Sequence, residues 1–160
     1  MTTPQELTST IDLVRNRLRD QIQQATVGLA EKGADVQVAD GILATRRSPD
    51  EVQIGDIRDF KQEVRYSRGP EGKHKRDESY MLDIHVYVAR NNTEESNRQC
   101  WLIWSYIDDI LSNRIDLQTQ IPTLQVGLVR EGWLNVQHDE ARRGWRTHLK
   151  VSISVSAKIT

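Results

Sequence analysis

The sequence predicts an α+β fold, in which an antiparallel or mixed sheet of four to five strands packs against two amphipathic helices. Three observations predict it. Residues 149–159 alternate strictly between apolar and polar, as a strand with one buried and one wet face does. Two long stretches carry apolar residues at spacings of three and four, which is typical of amphipathic helices. Shorter stretches rich in β-branched residues lie between those two helices and predict the remaining strands.

The first helix is predicted over residues 7–29. The residues before this stretch match the start of a helix. Thr3 can cap the helix, Pro4 suits the first helical position, and Glu6 can form a capping box with Thr3. Gly33 is the predicted stop. One stripe of this helix is apolar and is formed by Leu7, Ile11, Val14, Leu18, Ile22, Ala25 and Leu29.

The second helix is predicted over residues 93–114, with Glu94 and Glu95 at the positive end of its dipole. Trp101, Leu102 and Tyr106 widen its apolar stripe beyond what a one-sided surface helix needs. We therefore expect Trp104 to be buried and Trp101 to meet a partner. The stripe itself consists of Cys100, Ile103, Trp104, Ile107, Ile110 and Leu111, and in this apolar setting Cys100 is expected to be a buried, unreactive thiol.

Three strands are predicted between the helices. A short one lies within residues 35–45, and an irregular one over 52–66, where Gly55 and charged residues predict a bulge. The strand over 80–89 is regular, with Leu82, Ile84, Val86 and Val88 on one face. Residues 67–78 contain glycine, proline and basic residues without an apolar anchor, which predicts a long solvated hairpin loop within a single domain spanning 1–160.

Composition excludes several classes of function. The 22 basic and 23 acidic residues leave a net charge of −1, which argues against a dedicated DNA-binding protein. A single cysteine rules out an intrachain disulfide. No long apolar run and no leader pattern occurs, so we expect synthesis in the cytosol and no membrane span. Phosphate-binding, dinucleotide-binding and zinc-protease motifs do not occur, so we expect no cofactor.

The basic cluster of the 67–78 loop has two interpretations. It can be simply solvated, or it can line a DNA-conducting channel as a lumen or partner loop, where mixed charge permits passage without tight binding. A regulatory module that binds nucleic acid through this loop is a further hypothesis, and it predicts binding that weakens with salt. The cluster consists of Arg68, Lys73, His74, Lys75 and Arg76, preceded by Arg65.

An enzyme remains the main hypothesis of another class. If residues 137–146 form a hairpin turn, His138 and His148 could approach each other beside Asp139. No third ligand stands at a fixed spacing, so the sequence favours an exposed turn without a metal or catalytic site. Trp133 and Trp145 flank the same turn, where they could stack on each other or anchor a neighbouring subunit.

This arrangement resembles the tail terminator and head-to-tail joining (neck) proteins of long-tailed bacteriophages. The resemblance rests on the helix over 7–29, the hairpin over 52–89 that leads into the helix over 93–114, and the closing hairpin in which Gly144-Trp145 precedes the 149–159 strand. It implies a ring, usually of six copies, that caps the tail tube, ends its polymerisation and presents a docking surface for the head. It implies binding without catalysis, and a place in the virion after assembly in the host cytoplasm.

The resemblance also implies the partners: further copies of the chain, the tail tube protein, a head-completion or connector protein, and DNA in passage through the ring. A head-completion or connector role in the same neck is the nearest alternative, and a tail tube subunit is less well matched by the number of strands. We expect the apolar belt of the second helix and the serine and lysine face of the last strand to form the two halves of the ring contact. The predicted interface residues are Trp101, Tyr106, Trp133 and Trp145.

Overall fold

The computed structural model describes residues 9–30, 36–40, 50–65, 75–112, 125–129, 134–139 and 144–159. These residues form two helices and six strand segments, which confirms the α+β class. In chain order they are α1 (Ile11–Ala30), β1 (Val36–Asp40), β2 (Asp50–Arg65), β3 (Lys75–Arg90), α2 (Thr93–Ser112), β4 (Gln125–Val129), β5 (Leu134–Asp139) and β6 (Gly144–Ile159).

The strand order is β1-β2-β3-β6-β4, with β5 also paired to β6. β1 runs parallel to β2 and all other pairs are antiparallel, so the sheet is mixed. β5 pairs with residues 144–149 of β6, whereas β4 pairs with residues 152–156. β4 and β5 therefore follow one another along the outer edge of β6, and the sheet is four to five strands wide, as predicted.

One face of the sheet carries the hydrophobic core. The alternation predicted for the last strand is confirmed, because its apolar residues from Leu149 to Ile159 are all buried. Leu82, Ile84, Val86 and Val88 of β3 are fully buried on the same face. Both helices close this face with Val14, Leu18 and Ile22 from α1 and Cys100, Ile103, Trp104 and Ile107 from α2.

The core buries Cys100 as the sequence predicts. Its side chain is fully buried, and this burial, together with the negative charge of Asp50, raises the pKa of the thiol to about 12. The thiolate, which is the reactive form, is therefore strongly disfavoured at neutral pH. Cys100 contributes to packing as a small apolar side chain.

The first helix begins at Ile11, seven residues after Pro4, which the sequence predicts as its first helical position. Thr10 caps it, because the carbonyl oxygen of Thr10 accepts a hydrogen bond from the amide of Val14 at 2.9 Å. The amide and the hydroxyl of Thr10 both donate to Glu78 of β3, each at 2.9 Å, and the hydroxyl of Ser9 donates to the same carboxylate. The predicted cap residues Thr3, Pro4 and Glu6, and the predicted stop Gly33, lie outside the described residues.

The same contact corrects the predicted loop. Residues 75–78 belong to β3, where they pair with residues 62–65 of β2, and Glu78 is buried. The prediction of a solvated loop over 67–78 is therefore wrong at its C-terminal end. Residues 76–78 pair with both β2 and β6, and Glu78 also bonds to Thr10 at the start of α1. Lys75 and Arg76 of the predicted partner loop are strand residues, and Arg68, Lys73 and His74 lie outside the described residues.

The bulge predicted in the second strand is confirmed. The register between β2 and β3 shifts between Ile54 and Ile57 and again between Arg58 and Lys61. Asp59 lies in the second shift with a φ of 52°, a left-handed conformation that aspartate tolerates better than most residues. Phe60 follows it and is half exposed. The bulge therefore coincides with an aromatic side chain that is turned towards solvent, beyond the residues of β2 that pair with β1.

Candidate functional site

The face of the sheet opposite the core carries polar and aromatic side chains. We call it the polar face; it is formed by the odd-numbered residues of β3, the even-numbered residues of β6 and their neighbours on β2. The strict alternation along β3 and β6 produces it, because successive side chains of a strand point to opposite faces. Two clusters occupy it, one around Asp83 and one around His85.

The first cluster is an ion network across three strands. Asp83 is almost fully buried and accepts two hydrogen bonds from Arg58, from Nε at 2.9 Å and from Nη2 at 3.0 Å. The hydroxyl of Ser152 donates to Asp83 at 2.6 Å, and Lys150 lies 3.8 Å away. Burial alone would raise the pKa of Asp83, but the hydrogen bonds from Arg58 and Ser152 and the charges of Arg58 and Lys150 outweigh it and lower the pKa.

This network removes one residue from the expected contact face. Ser152 of the serine and lysine side of β6 is buried within the network, whereas Lys158 is exposed and Lys150, Ser154 and Ser156 are partly exposed. A hydroxyl that is already hydrogen-bonded to Asp83 and Arg58 has little left to offer a partner. The centre of this face is therefore internally satisfied.

The second cluster is a stack of planar side chains. His85 and His148 contact each other through Nδ1 and Nε2 at 2.8 Å. The ring of Tyr87 stacks on His148 with centroids 4.3 Å apart, and the guanidinium of Arg146 lies 4.3 Å over the Tyr87 ring. The two histidines are diagonal neighbours, since His148 lies opposite Tyr87 and His85 lies opposite Lys150.

The register bears on the approach of His138 and His148 that the enzyme hypothesis requires. In the β5–β6 hairpin His138 lies opposite Trp145, whereas Asn135 lies opposite His148. His138 and His148 are therefore not cross-strand neighbours. Among the described residues no group of three or more histidine, cysteine, aspartate or glutamate side chains is placed to hold a metal ion.

The exposed apolar side chains form separate patches. Trp101 and Leu102 are 50% and 41% exposed on the outer side of α2, and we call this pair the α2 patch. Trp104 is 7% exposed, so its predicted burial is confirmed, while the contact of the exposed Trp101 with a partner stays a prediction. Phe60 at the β2 bulge is 50% exposed, and Val27 on α1 is 57% exposed.

The other predicted interface residues differ from Trp101. Tyr106 is partly buried and packs against the hydrophobic core, and its contact with a partner stays a prediction. Trp145 is partly buried in β6, between Arg90 of β3 and His138 of β5 in the register. Trp133 lies outside the described residues, so its predicted stacking with Trp145 stays a prediction.

A polar groove of about 540 Å³ lies at the far end of the polar face, where β2, β3, β4 and β6 meet. Lys61 and Lys158 line it together with Glu63, Asp77 and Glu78. Because both signs of charge are interleaved, the groove has no field that would select a simple anion or cation. Glu78, moreover, is already engaged by the cap of α1.

Sequence reasoning did not predict the contact between His85 and His148. The available signal was the alternation of each strand, which fixes the face and leaves the register open. Within the described residues, neither helix combines the length and hydropathy needed to cross a membrane. No protein-family model matches this chain, and no curated protein matches it either.

Proposed function

We propose that this protein is a structural subunit of the neck of a long-tailed bacteriophage, a tail terminator that assembles as a ring on the tail tube. It ends tube polymerisation and gives the head a surface to dock on. The observation that carries the proposal is the exposure of Trp101 and Leu102 on α2 and of Phe60 on β2. The order of helices, hairpin and closing strand supports it through the resemblance described above.

A closed ring built head to tail needs two different patches on each subunit. The α2 patch and the Phe60 bulge are two such patches on different elements. Glu94, Glu95, Asp108 and Asp109 make α2 acidic, with Arg98 as its one basic residue in this stretch. Phe60 is followed by Lys61, although Asp59 precedes it and Arg58 is already bonded to Asp83. We therefore pair the α2 patch with the Phe60 bulge, in place of the serine and lysine side of β6.

Aromatic residues with a flat apolar surface dominate the energetics of many protein interfaces. Trp101 and Phe60 would act as anchors, and the flanking charges would set the orientation of neighbouring subunits. The partners in this proposal are further copies of the chain, the tail tube protein and a head-completion or connector protein. The site of action is the virion neck, with assembly in the host cytoplasm, and DNA passes through the ring without specific recognition.

The first test is the mass of the purified protein in solution over a range of concentrations, with negative-stain images of the same sample. A hexamer of the 18.4 kDa chain would have a mass of about 110 kDa and appear as a ring. Assembly that occurs only on the tail tube would instead give monomers that become rings when tube protein is added. Monomers that stay monomeric with tube protein present would contradict the proposal.

The head-to-tail geometry has its own test. Trp101→Glu and Phe60→Glu should each abolish rings, because each removes one half of every contact. In an equimolar mixture, the intact Phe60 bulge of the Trp101→Glu variant can still bind the intact α2 patch of the Phe60→Glu variant. The two remaining patches of such a pair are both altered, so the mixture should form dimers of roughly 37 kDa and nothing larger. Val27→Glu, also at an exposed apolar position, is the matched control and should assemble normally. Rings formed by either variant alone would contradict the pairing.

A third experiment separates the terminator from the connector. The purified protein is added to tail tube protein during polymerisation, and tube lengths are measured by electron microscopy. A terminator shortens the tubes and is seen as a ring at one end, and Trp101→Glu abolishes both effects. Unchanged tube lengths combined with binding to the portal end of filled heads would favour the connector role.

A further inference from the structure

The histidine pair lies outside both the hydrophobic core and the proposed ring contact. A hydrogen bond between two imidazoles needs one N–H and one bare ring nitrogen, so the 2.8 Å contact between His85 Nδ1 and His148 Nε2 exists only while one of these atoms is unprotonated. In the ring that donates this hydrogen bond, the other nitrogen is bare and can take up a proton without disturbing the contact, whereas in the ring that accepts it the other nitrogen already carries its hydrogen. The pair can therefore accept a first proton, but a second one sets two N–H groups against each other.

Both rings are held in place by their neighbours. His148 is stacked on Tyr87, and the guanidinium of Arg146 also packs over the Tyr87 ring. The His85 ring lies against the backbone of β2 at Gly55, where an added Cβ would stand only 2.9 Å from its Cδ2 and 3.1 Å from the carbonyl oxygen of Asp83. Glycine at this position is therefore what allows the His85 ring to lie flat beside β2.

Charged groups from three strands surround the pair. β3 contributes Asp83, β2 contributes Asp56, and β6 contributes Lys150 and Arg146. Burial lowers the pKa of His85, Asp83 and Asp56 act to raise it, and Lys150 lowers it further, so that the net direction is down. β2 also contributes the buried carboxylate of Glu51, which lies opposite Tyr87 and accepts a hydrogen bond from Gln53 at 2.9 Å. Gln53 itself lies opposite His85, and Asn135 of β5 lies opposite His148.

We propose that the histidine pair is a pH-sensitive latch between β3 and β6. With no added proton or with one, the latch is closed, and in the singly protonated state the hydrogen bond is charge-assisted and stronger. The second proton opens it, because two imidazolium rings cannot share this contact. Opening adds positive charge beside Lys150 and Arg146 and loosens the pairing of the two central strands. Mild acid therefore weakens the middle of the sheet while neutral pH keeps it closed.

The test is a titration of the full chain by NMR, following the ring carbon-bound protons of the histidines from about pH 8 to about pH 5. His85 and His148 should shift together in two steps, since coupled groups titrate as a pair. The lower step should lie below the ordinary histidine value of about 6.5. Independent single steps at that ordinary value for both residues would overturn the proposal, and this readout needs only the wild-type protein.

Variants then distinguish the coupling between the two histidines from the effect of burial on the pKa of His85. In His148→Gln the remaining His85 should titrate in one step, and the lower step should be lost. Gly55→Ala leaves every charge unchanged but pushes on the His85 ring, so it should move the lower step towards the ordinary value. Ser156→Ala, on the same face of β6 outside the stack, is the matched control and should leave both steps in place. An unchanged two-step titration of His85 in His148→Gln would overturn the latch.

Opening of the strands is measured separately by amide hydrogen exchange of residues 84–88 and 146–150, corrected for the intrinsic effect of pH. In the wild type, amide protection should fall as the second proton binds. In the double variant His85→Gln, His148→Gln, amide protection should stay constant over the same pH range. Protection that stays constant through the second step in the wild type would show that the pair titrates without acting as a latch.

Discussion

Asp83 shows how a single buried side chain links three strands that the sequence alone cannot align. Arg58 from β2 and Ser152 from β6 both bond to it, and their hydrogen bonds lower its pKa against the opposing effect of burial. A carboxyl whose pKa is lower in the folded than in the unfolded state stabilises the fold at pH values above its unfolded-state pKa. This stabilisation is lost as the pH falls, first through the unfolded-state pKa and then through the folded-state pKa.

We therefore expect Asp83→Asn to lower the free energy of unfolding at neutral pH by about 1–2 kcal/mol, a modest loss because the half-exposed Arg58 can turn to water. Between about pH 5 and about pH 3 the wild type should lose more stability than the variant, since only the wild type has this carboxyl to protonate. Urea unfolding across this range measures both effects. Asp109→Asn, at an exposed position on α2, is the control, and parallel curves for wild type and Asp83→Asn would contradict the expectation.

At the scale of the element, α2 is the part that sequence reasoning described best. Its start at Thr93, its buried stripe and the exposure of Trp101 follow from a pattern contained within some twenty consecutive residues. Its cap is equally local, because the side chain of Asn92 accepts a hydrogen bond from the amide of Glu95 at 2.8 Å. α1 differs, since its cap depends on Glu78, which is 68 residues away from Thr10.

Asn92→Ala should lower the free energy of unfolding by about 1 kcal/mol, because the amide of Glu95 then loses its partner. Asn92→Asp should retain most of the stability, since its carboxylate can accept the same hydrogen bond and suits the positive end of the helix dipole. Chemical denaturation of the three proteins side by side measures the differences. An equal loss of stability in both variants would mean that Asn92 does not stabilise the protein through its hydrogen bond to the amide of Glu95.

At the scale of the whole molecule, α1, α2 and one face of the sheet share a single hydrophobic core. α1 contributes three fully buried aliphatic residues along one stripe, while its other side is exposed or partly exposed. Burying each such side chain stabilises the fold by roughly 1.5–3 kcal/mol, so the attachment of α1 to the sheet rests mainly on this stripe.

Leu18→Ala should therefore lower the free energy of unfolding by about 2–5 kcal/mol, as removal of a fully buried leucine does. Val27→Ala on the exposed side of the same helix should change it by no more than about 0.5 kcal/mol. Thermal and urea unfolding of both variants provide the comparison. If the two losses were similar, α1 would not pack on the sheet through the stripe that contains Leu18.

The sequence by itself determined the fold class and the buried faces of α2, β3 and β6. These are local properties, because the period of the apolar residues records which side of each element meets the core. It also indicated the bulge in β2, through the interruption of that period near Gly55.

Only the tertiary structure decided which distant residues meet. It joined His85 to His148, 63 residues apart, drew Glu78 out of a predicted loop into the cap of α1, and separated His138 from His148. The physical reason is that alternation specifies the face of a strand but not the position of its partner. That register is decided by the packing of the whole sheet at once.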